Sequence, residues 1–225
     1  MLVLGFDTAT PAVSVALHDG ERVVAETFAV DARRHGELLM PMIADVLADA
    51  GASRRDLTAV AVGVGPGPYT GLRVGLVTAR VLAAVLGLPV YGVCTLDILA
   101  AAVPPGQPFG VATDARRKEV YWAAYDETGR RTEGPLVASA SSIPGAASLP
   151  VAGAGGALYP EAFGPAIGPS YPEARTLCGL VAARLGTGDD GAADGPWPPL
   201  LAPEPLYLRR PDATLPGPPK RVTPS

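Results

Sequence analysis

Short apolar runs separated by turn residues open the chain. Leu2 to Asp7 reads as a strand, Thr8-Ala9-Thr10-Pro11 as a turn, and Ala12 to His18 as a second strand. Asp19-Gly20 is a strong hairpin signal, and Val23 to Val30 supplies a third strand. Helical spacing then predicts helices over His35 to Ala50 and Gly71 to Leu86, with a buried strand, Ala59 to Val64, between them. A shorter helix follows Thr95. The opening pattern then returns. Phe109 to Asp114 reads as a strand, Ala115 to Lys118 as a turn, and Glu119 to Tyr125 as a strand with Val120, Trp122 and Ala124 on one face. Thr128-Gly129 turns the chain toward Leu136-Val137, Leu149 to Ala152 forms a further strand, and Glu173 to about Leu185 a helix.

Sliding one half onto the other by 107 residues pairs Asp7 with Asp114, Val13 with Val120, Ala16 with Ala123 and Asp19 with Asp126. These matches fall inside one strand–turn–strand order, so an internal duplication of a sheet-and-helix unit is the economical explanation. The expected architecture is α/β in two lobes, residues 1–105 and a smaller 106–210. Gly, Asp and Pro crowd residues 186–205, which predicts a mobile loop, and 211–225 reads as a disordered tail.

Composition narrows the function classes. With 225 residues, 48 % of them hydrophobic, the chain can bury one sizeable core or two small ones. Cys94 and Cys178 make neither a disulfide framework nor a metal cluster, which fits a reducing compartment, and a cytoplasmic location is expected. Met1 to Asp7 lacks a basic start and is too short for a signal-peptide core. The longest apolar stretch, Leu76 to Val103, is interrupted by Arg80, Pro89 and Asp97, so no membrane span is expected. Net charge is −4. Basic pairs (Arg33-Arg34, Arg54-Arg55, Arg116-Arg117-Lys118, Arg130-Arg131, Arg209-Arg210) are dispersed and mostly near carboxylates. If RNA is involved, something else supplies most of the grip.

The run Gly65-Pro66-Gly67-Pro68-Tyr69-Thr70-Gly71-Leu72-Arg73-Val74-Gly75 is the most informative stretch. Glycine permits positive φ and close approach, whereas proline fixes φ and removes a donor. It is not a P-loop, because Tyr69-Thr70-Gly71 stands where Gly-Lys-Ser/Thr is required and the lysines are Lys118 and Lys220. The dinucleotide fingerprint fails as well, with Pro68 or Thr70 in place of its last glycine. A third glycine-rich turn, Gly153-Ala154-Gly155-Gly156, could border an adenosine site or be an ordinary strand-end turn.

Two such lobes resemble the actin, Hsp70 and sugar-kinase superfamily, in which ribonuclease-H-like halves face each other across a cleft. Its first turn, Asp-x-Gly-x-Thr, holds phosphate or metal. The corresponding Asp7-Thr8-Ala9-Thr10 keeps the carboxylate and hydroxyls, so Asp7, Thr8 and Thr10 are the residues of a degraded nucleotide site. Asp114-Ala115-Arg116-Arg117 puts bulky cations where small residues normally admit phosphates.

The eleven-residue run closely resembles the signature of the TsaB family. Phe6 to Thr10, His35 to Pro41, Asp114 to Tyr121 and Pro205 to Arg209 follow in the family's order, so the resemblance covers about residues 2 to 210. It implies a catalytically inactive paralogue of TsaD, the metal-dependent subunit that transfers threonylcarbamoyl to adenosine 37 of tRNAs reading ANN codons. TsaD holds its metal with a histidine pair at helical spacing. Here the histidines are His18 and His35, and Leu39 stands four residues after His35, so neither catalytic nor metal-binding residues are expected. Nor do two histidines make a persuasive Ser-His-Asp or Cys-His arrangement. The resemblance further implies binding to TsaD, with the ATPase TsaE as third partner, tRNA reached through the complex, and threonylcarbamoyl-AMP supplied by TsaC. No cofactor of its own is implied, and ATP or ADP at the complex interface stays open. An active kinase or ATPase of the same fold, and a self-associating protein without an enzyme partner, also stay open.

The two long helices are expected to carry the contact. Leu39, Met42, Ile43 and Val46 enrich the first, whose Pro41 implies either a start at Met40 or Pro41 or a kink. The second is apolar almost all round, and Gly71, Gly75, Ala79 and Ala83 form a small-residue ridge that admits a partner helix closely. Leu76 belongs to its apolar surface, while Arg73 and Arg80 share a face where they could meet carboxylates. Residues Gly65, Pro66, Gly67, Tyr69, Thr70 and Gly71 are read as the stiff lead-in that aims this helix at TsaD. A homodimer through the same surface is the competitor.

Overall fold

The alternation read from the sequence folds as two hairpin-led sheets. A computed structural model describes residues 1–187 and 198–209. Its strands are β1 (Val3–Asp7), β2 (Ala12–His18), β3 (Val23–Val30), β4 (Ala59–Gly63), β5 (Val90–Val93), β6 (Phe109–Asp114), β7 (Glu119–Tyr125), β8 (Arg131–Ser139) and β9 (Val151–Ala152). The helices are α1 (His35–Asp49), α2 (Tyr69–Leu86), α3 (Thr95–Ala101), α4 (Ala154–Leu158) and α5 (Ala174–Thr187). The first sheet runs β3-β2-β1-β4-β5 and the second β8-β7-β6-β9. In each, an antiparallel hairpin is followed by a parallel neighbour on the far side of its first strand. That shared order is the mark of a duplicated ribonuclease-H-like unit.

The ladders correct the 107-residue alignment by one step. Asp7 pairs with Ser14, so a strict shift would set Asp114 opposite Tyr121, yet Asp114 pairs with Val120. The connection in the second hairpin is one residue shorter. Beyond Asp7 and Asp114, the matched pairs therefore sit one residue out of structural register.

Both β1 and β2 are buried along their whole length because helices cover both faces. Leu4, Phe6, Val13, Val15 and Leu17 face α1 and α2, packing with Leu39, Ile43, Val46, Leu72 and Leu76. Val3 and Ala16 face α5, packing with Leu177, Cys178 and Val181. Gly5 is where α5 comes closest, and a Cβ there would collide with the Cys178 thiol.

The packing of α5 crosses the expected boundary at residue 105. Although it follows the second sheet in the chain, α5 packs on β1 and β2 of the first. In exchange, α3 of the first half covers the second sheet, with Leu96, Leu99 and Ala100 against Phe109, Val111 and Ala123. The other face of that sheet stacks Trp122 on Phe163, with ring centroids 5.4 Å apart. Asp97 on α3 ties the halves further. Its Oδ1 accepts from the Tyr125 hydroxyl at 2.8 Å and pairs with Arg131 at 3.4 Å. Burial pushes the Asp97 carboxyl up, against the pull of Arg131.

Other elements depart from expectation in definable ways. Helix α1 begins at His35 and carries Pro41 in its interior, so the late start at Met40 or Pro41 does not occur. Strand β5 lies inside the apolar stretch Leu76 to Val103, where no strand was expected. The mobile loop (186–205) and the disordered tail (211–225) fall largely on residues 188–197 and 210–225, which lie outside the described residues. Of that loop, the part from residue 198 on is anchored: Leu201 and Gly92 exchange backbone hydrogen bonds of 2.8 Å.

Leu177→Ala should lower stability by about 2–5 kcal/mol, since Leu177 is wholly buried between α5 and the first sheet. Amide-hydrogen exchange should then quicken first in β1 and β2. Faster exchange confined to β6 and β7 would contradict the placement of α5.

Candidate functional site

The first turn, Asp7 to Thr10, is where a superfamily enzyme would hold phosphate or metal, and here its polar atoms are spent on the chain itself. Asp7 Oδ1 accepts from the Ala9 amide at 2.8 Å and Oδ2 from the Thr95 hydroxyl at 2.7 Å. Asp7 has no exposed surface. Burial pushes its carboxyl up to about 6, against the opposing hydrogen bonds from Thr95 and Ala9 and the charge of His35. Thr95 then accepts from the Gly65 amide at 3.1 Å, and its own amide donates to the Gly65 carbonyl at 2.7 Å.

Thr8 reaches into α2. Its hydroxyl donates to the Gly71 carbonyl at 2.7 Å and accepts from the Gly75 amide at 3.0 Å. Those are the two groups that an uninterrupted α-helix would join directly. Such insertion requires glycine. A Cβ at Gly71 would lie 2.6 Å from the Thr8 carbonyl oxygen, and one at Gly75 would lie 2.5 Å from the Thr8 hydroxyl. The same holds along the signature: a Cβ at Gly63 would strike the Asp7 carboxylate, and one at Gly67 the Ala9 carbonyl. Gly65 has φ +90°, open to glycine and strained for other residues. Thr10 completes the turn, its carbonyl 2.7 Å from His35 Nε2, which donates in the Nε2–H tautomer. Of the glycines in the 65–75 run, Gly67, Gly71 and Gly75 are thus accounted for by close packing against Thr8 and Ala9, and Gly65 by its positive φ.

The expected nucleotide residues therefore lie together, with the Asp7 carboxylate and the Thr8 hydroxyl committed internally. The Gly153–Gly156 turn also serves packing, since a Cβ at Gly153 or Gly155 would meet the backbone of Ala112. Among the described residues, no three His, Cys, Asp or Glu side chains are grouped to hold a metal ion. A cavity of about 210 Å³ remains beside the turn, lined by Thr10, Arg33, Thr70 and Arg116 among others.

The expected partner surface needs correction. Leu39, Met42, Ile43, Val46, Leu76, Ala79 and Ala83 are all buried within the chain, and Arg73 and Arg80 are the exposed members of the nine. The small-residue ridge points inward, where Gly71 and Gly75 receive Thr8. Turned outward instead are Val77, Val81 and Val85, exposed by 58 %, 55 % and 77 %. Their i, i+4, i+8 spacing is legible in the sequence, but the all-round apolar composition hid which stripe faces out. Length and composition would also let α2 cross a membrane, yet it packs on β4. At its N-terminal end, Tyr69 stacks on Tyr207 with ring centroids 5.3 Å apart, and the Arg73 guanidinium lies 3.7 Å over the Tyr69 ring. Arg73 Nε donates to the Tyr207 hydroxyl at 2.9 Å.

Comparison with known proteins fits this geometry. A family model described as TsaD, tRNA N6-adenosine threonylcarbamoyltransferase, matches residues 23–155. A Mycobacterium tuberculosis protein of uncharacterised function is 47 % identical over 223 residues, covering 94 % of this chain and 93 % of that one. The tRNA threonylcarbamoyladenosine biosynthesis protein TsaB of Escherichia coli is 42 % identical over 134 residues, or 57 % of this chain and 58 % of that protein. The solved structure of YeaZ from Pseudomonas aeruginosa superposes with a TM-score of 0.72 at 30 % identity, covering 88 % of this chain and 98 % of the other.

The Asp7 carboxyl sets a pH dependence. Folded, it titrates near 6 rather than 3.8, so the folded state keeps a proton that the unfolded chain releases. Stability from this group is full below about pH 4 and is lost as pH rises through about 6, by about 3 kcal/mol in all. Asp7→Asn cannot ionise and should flatten the urea-unfolding free energy between pH 4 and 7. An equal decline in variant and parent would place its origin elsewhere.

Proposed function

The chain belongs to the TsaB (YeaZ) family, and from that premise we propose that it serves tRNA threonylcarbamoyladenosine formation as a non-catalytic subunit that docks on a TsaD-type transferase. The observation that carries this reading is the division of α2. Its inner stripe is locked to the Asp7–Thr10 turn, while its outer stripe of three valines is left exposed. Three valines at i, i+4 and i+8, with Arg73 and Arg80 also exposed on the helix, have the pattern of a helix-docking surface.

The committed Asp7 and Thr8 support the non-catalytic part. A carboxylate without exposed surface, already accepting two hydrogen bonds, offers little to a metal-bound nucleotide. That argues against the kinase or ATPase alternative. TsaE, tRNA and a cytoplasmic setting follow as parts of the same proposal, as does ATP or ADP at the subunit interface. Self-association through the valine stripe is the competing use of the same surface.

Co-purification with the transferase from the same organism tests the docking. The parent chain should form a stable complex, and Val81→Asp should weaken it by about 30-fold or more, because a carboxylate would be buried without a partner. Val81 is exposed in the free chain, so its melting temperature should not change. Undiminished binding by Val81→Asp, or threonylcarbamoyl transfer by the isolated chain, would overturn the proposal.

A further inference from the structure

We propose that the Arg116–Lys118 loop and Arg33 form a contact surface for the phosphodiester backbone of RNA. The loop joins β6 to β7 at the lip of the cleft between the sheets. Its three residues have φ of 63°, 57° and 64°, so three consecutive non-glycine residues sit in the left-handed region. A single such residue is strained, and turns that need this conformation usually take glycine or asparagine. Here two arginines and a lysine occupy it, all exposed.

The backbone beneath them is held firmly. The Ala115 amide donates to the Glu119 carbonyl at 3.0 Å, the Glu119 amide to the Arg116 carbonyl at 3.0 Å, and the Arg116 amide to Asp114 Oδ1 at 2.8 Å. From behind, Arg209 donates to the Ala115 carbonyl at 3.0 Å and pairs with Glu119. A rigid loop that presents cations in a costly conformation is readily explained if the side chains themselves are required.

Arg33 comes from the opposite side of the cleft and lines the same 210 Å³ cavity as Arg116, together with the Thr10 and Thr70 residues. Neighbouring carboxylates are partly engaged: Asp31 and Glu37 pair with Arg34 at 3.6 and 3.5 Å, and Asp114 with Arg116 at 3.7 Å. In a chain of net charge −4, Arg33, Arg116, Arg117 and Lys118 thus stand close together at this rim, with Asp31, Glu37, Asp114 and Glu119 beside them. Guanidinium and hydroxyl donors suit phosphate oxygens. None of the described residues lining the cavity is Phe, Tyr or Trp, and its His35 ring is bound to Thr10, so the lining lacks a free aromatic platform for a base. That favours a nucleic-acid backbone over a free nucleotide. The inference extends the tRNA-modification reading but needs no transferase.

Fluorescence anisotropy of the full chain with labelled tRNA, from about 20 to 200 mM salt, tests it. The parent should bind at low salt, and Arg33→Ala/Arg116→Ala/Lys118→Ala should bind at least about tenfold more weakly. Its log-affinity against log-salt slope should shrink by roughly 0.7–0.9 per lost phosphate contact. Lys118→Gly relieves one left-handed side chain, so it should lose affinity while its melting temperature holds or rises, which separates contact from folding. Absence of parent binding at low salt, equal binding by the triple variant, or displacement of RNA by micromolar ATP but not by inorganic phosphate would overturn the assignment. Because the chain is measured by itself, failure here leaves the docking test untouched.

Discussion

The site depends on one hydroxyl group bound to the backbone of a helix. Thr8 stands between the Gly71 carbonyl and the Gly75 amide, and it fixes α2 to the turn that follows β1. From that contact the rest of the site follows. With α2 held this close, Gly67 and Gly71 must lie against the backbone of Ala9 and Thr8, and only glycine fits. Once the 65–75 run is seated, Gly65 binds Thr95, and Thr95 closes over the Asp7 carboxylate. A turn that in a related enzyme would open toward a ligand is here filled by the protein's own backbone. The filling orders the helix whose other face remains available.

Much of the fold was legible because its signals are local. The hairpins β1–β2 and β6–β7 announce themselves through alternation and short turns, and their strand limits agree with the sequence pattern almost to the residue. The seating of α5 was not legible. Its apolar residues could cover either sheet, and the choice rests on Gly5 and Cys178, 173 positions apart, fitting one another. The orientation of α2 was hidden for a related reason. Glycines at 71 and 75 look like an outward ridge until Thr8, more than sixty residues earlier, is seen to occupy it. The buried carboxylate is the same kind of case: Asp7 was singled out by position, but Thr95 as its cover is a contact across 88 residues. The left-handed Arg116–Lys118 loop runs against local preference, so residue type gave no warning of its backbone.

The exchange of α3 and α5 bears on what such a molecule can do. Enzymes built from two lobes around a cleft commonly work by hinge closure, which needs lobes that move as separate bodies. Here α3 lies on the second sheet while α5 lies on the first, and Ile98 of α3 packs with Ala174 and Leu177 of α5. Opening the cleft would disturb this packing, the Asp97 pairs to Tyr125 and Arg131, and the Leu201–Gly92 bridge. These contacts would have to break together before the two halves could part as separate bodies. The bracing leaves cavities of about 210 and 350 Å³ beside the first turn, lined from both halves of the chain. On the function proposed above, it also holds one face of α2 and one basic rim in fixed relation, as a subunit that positions others would.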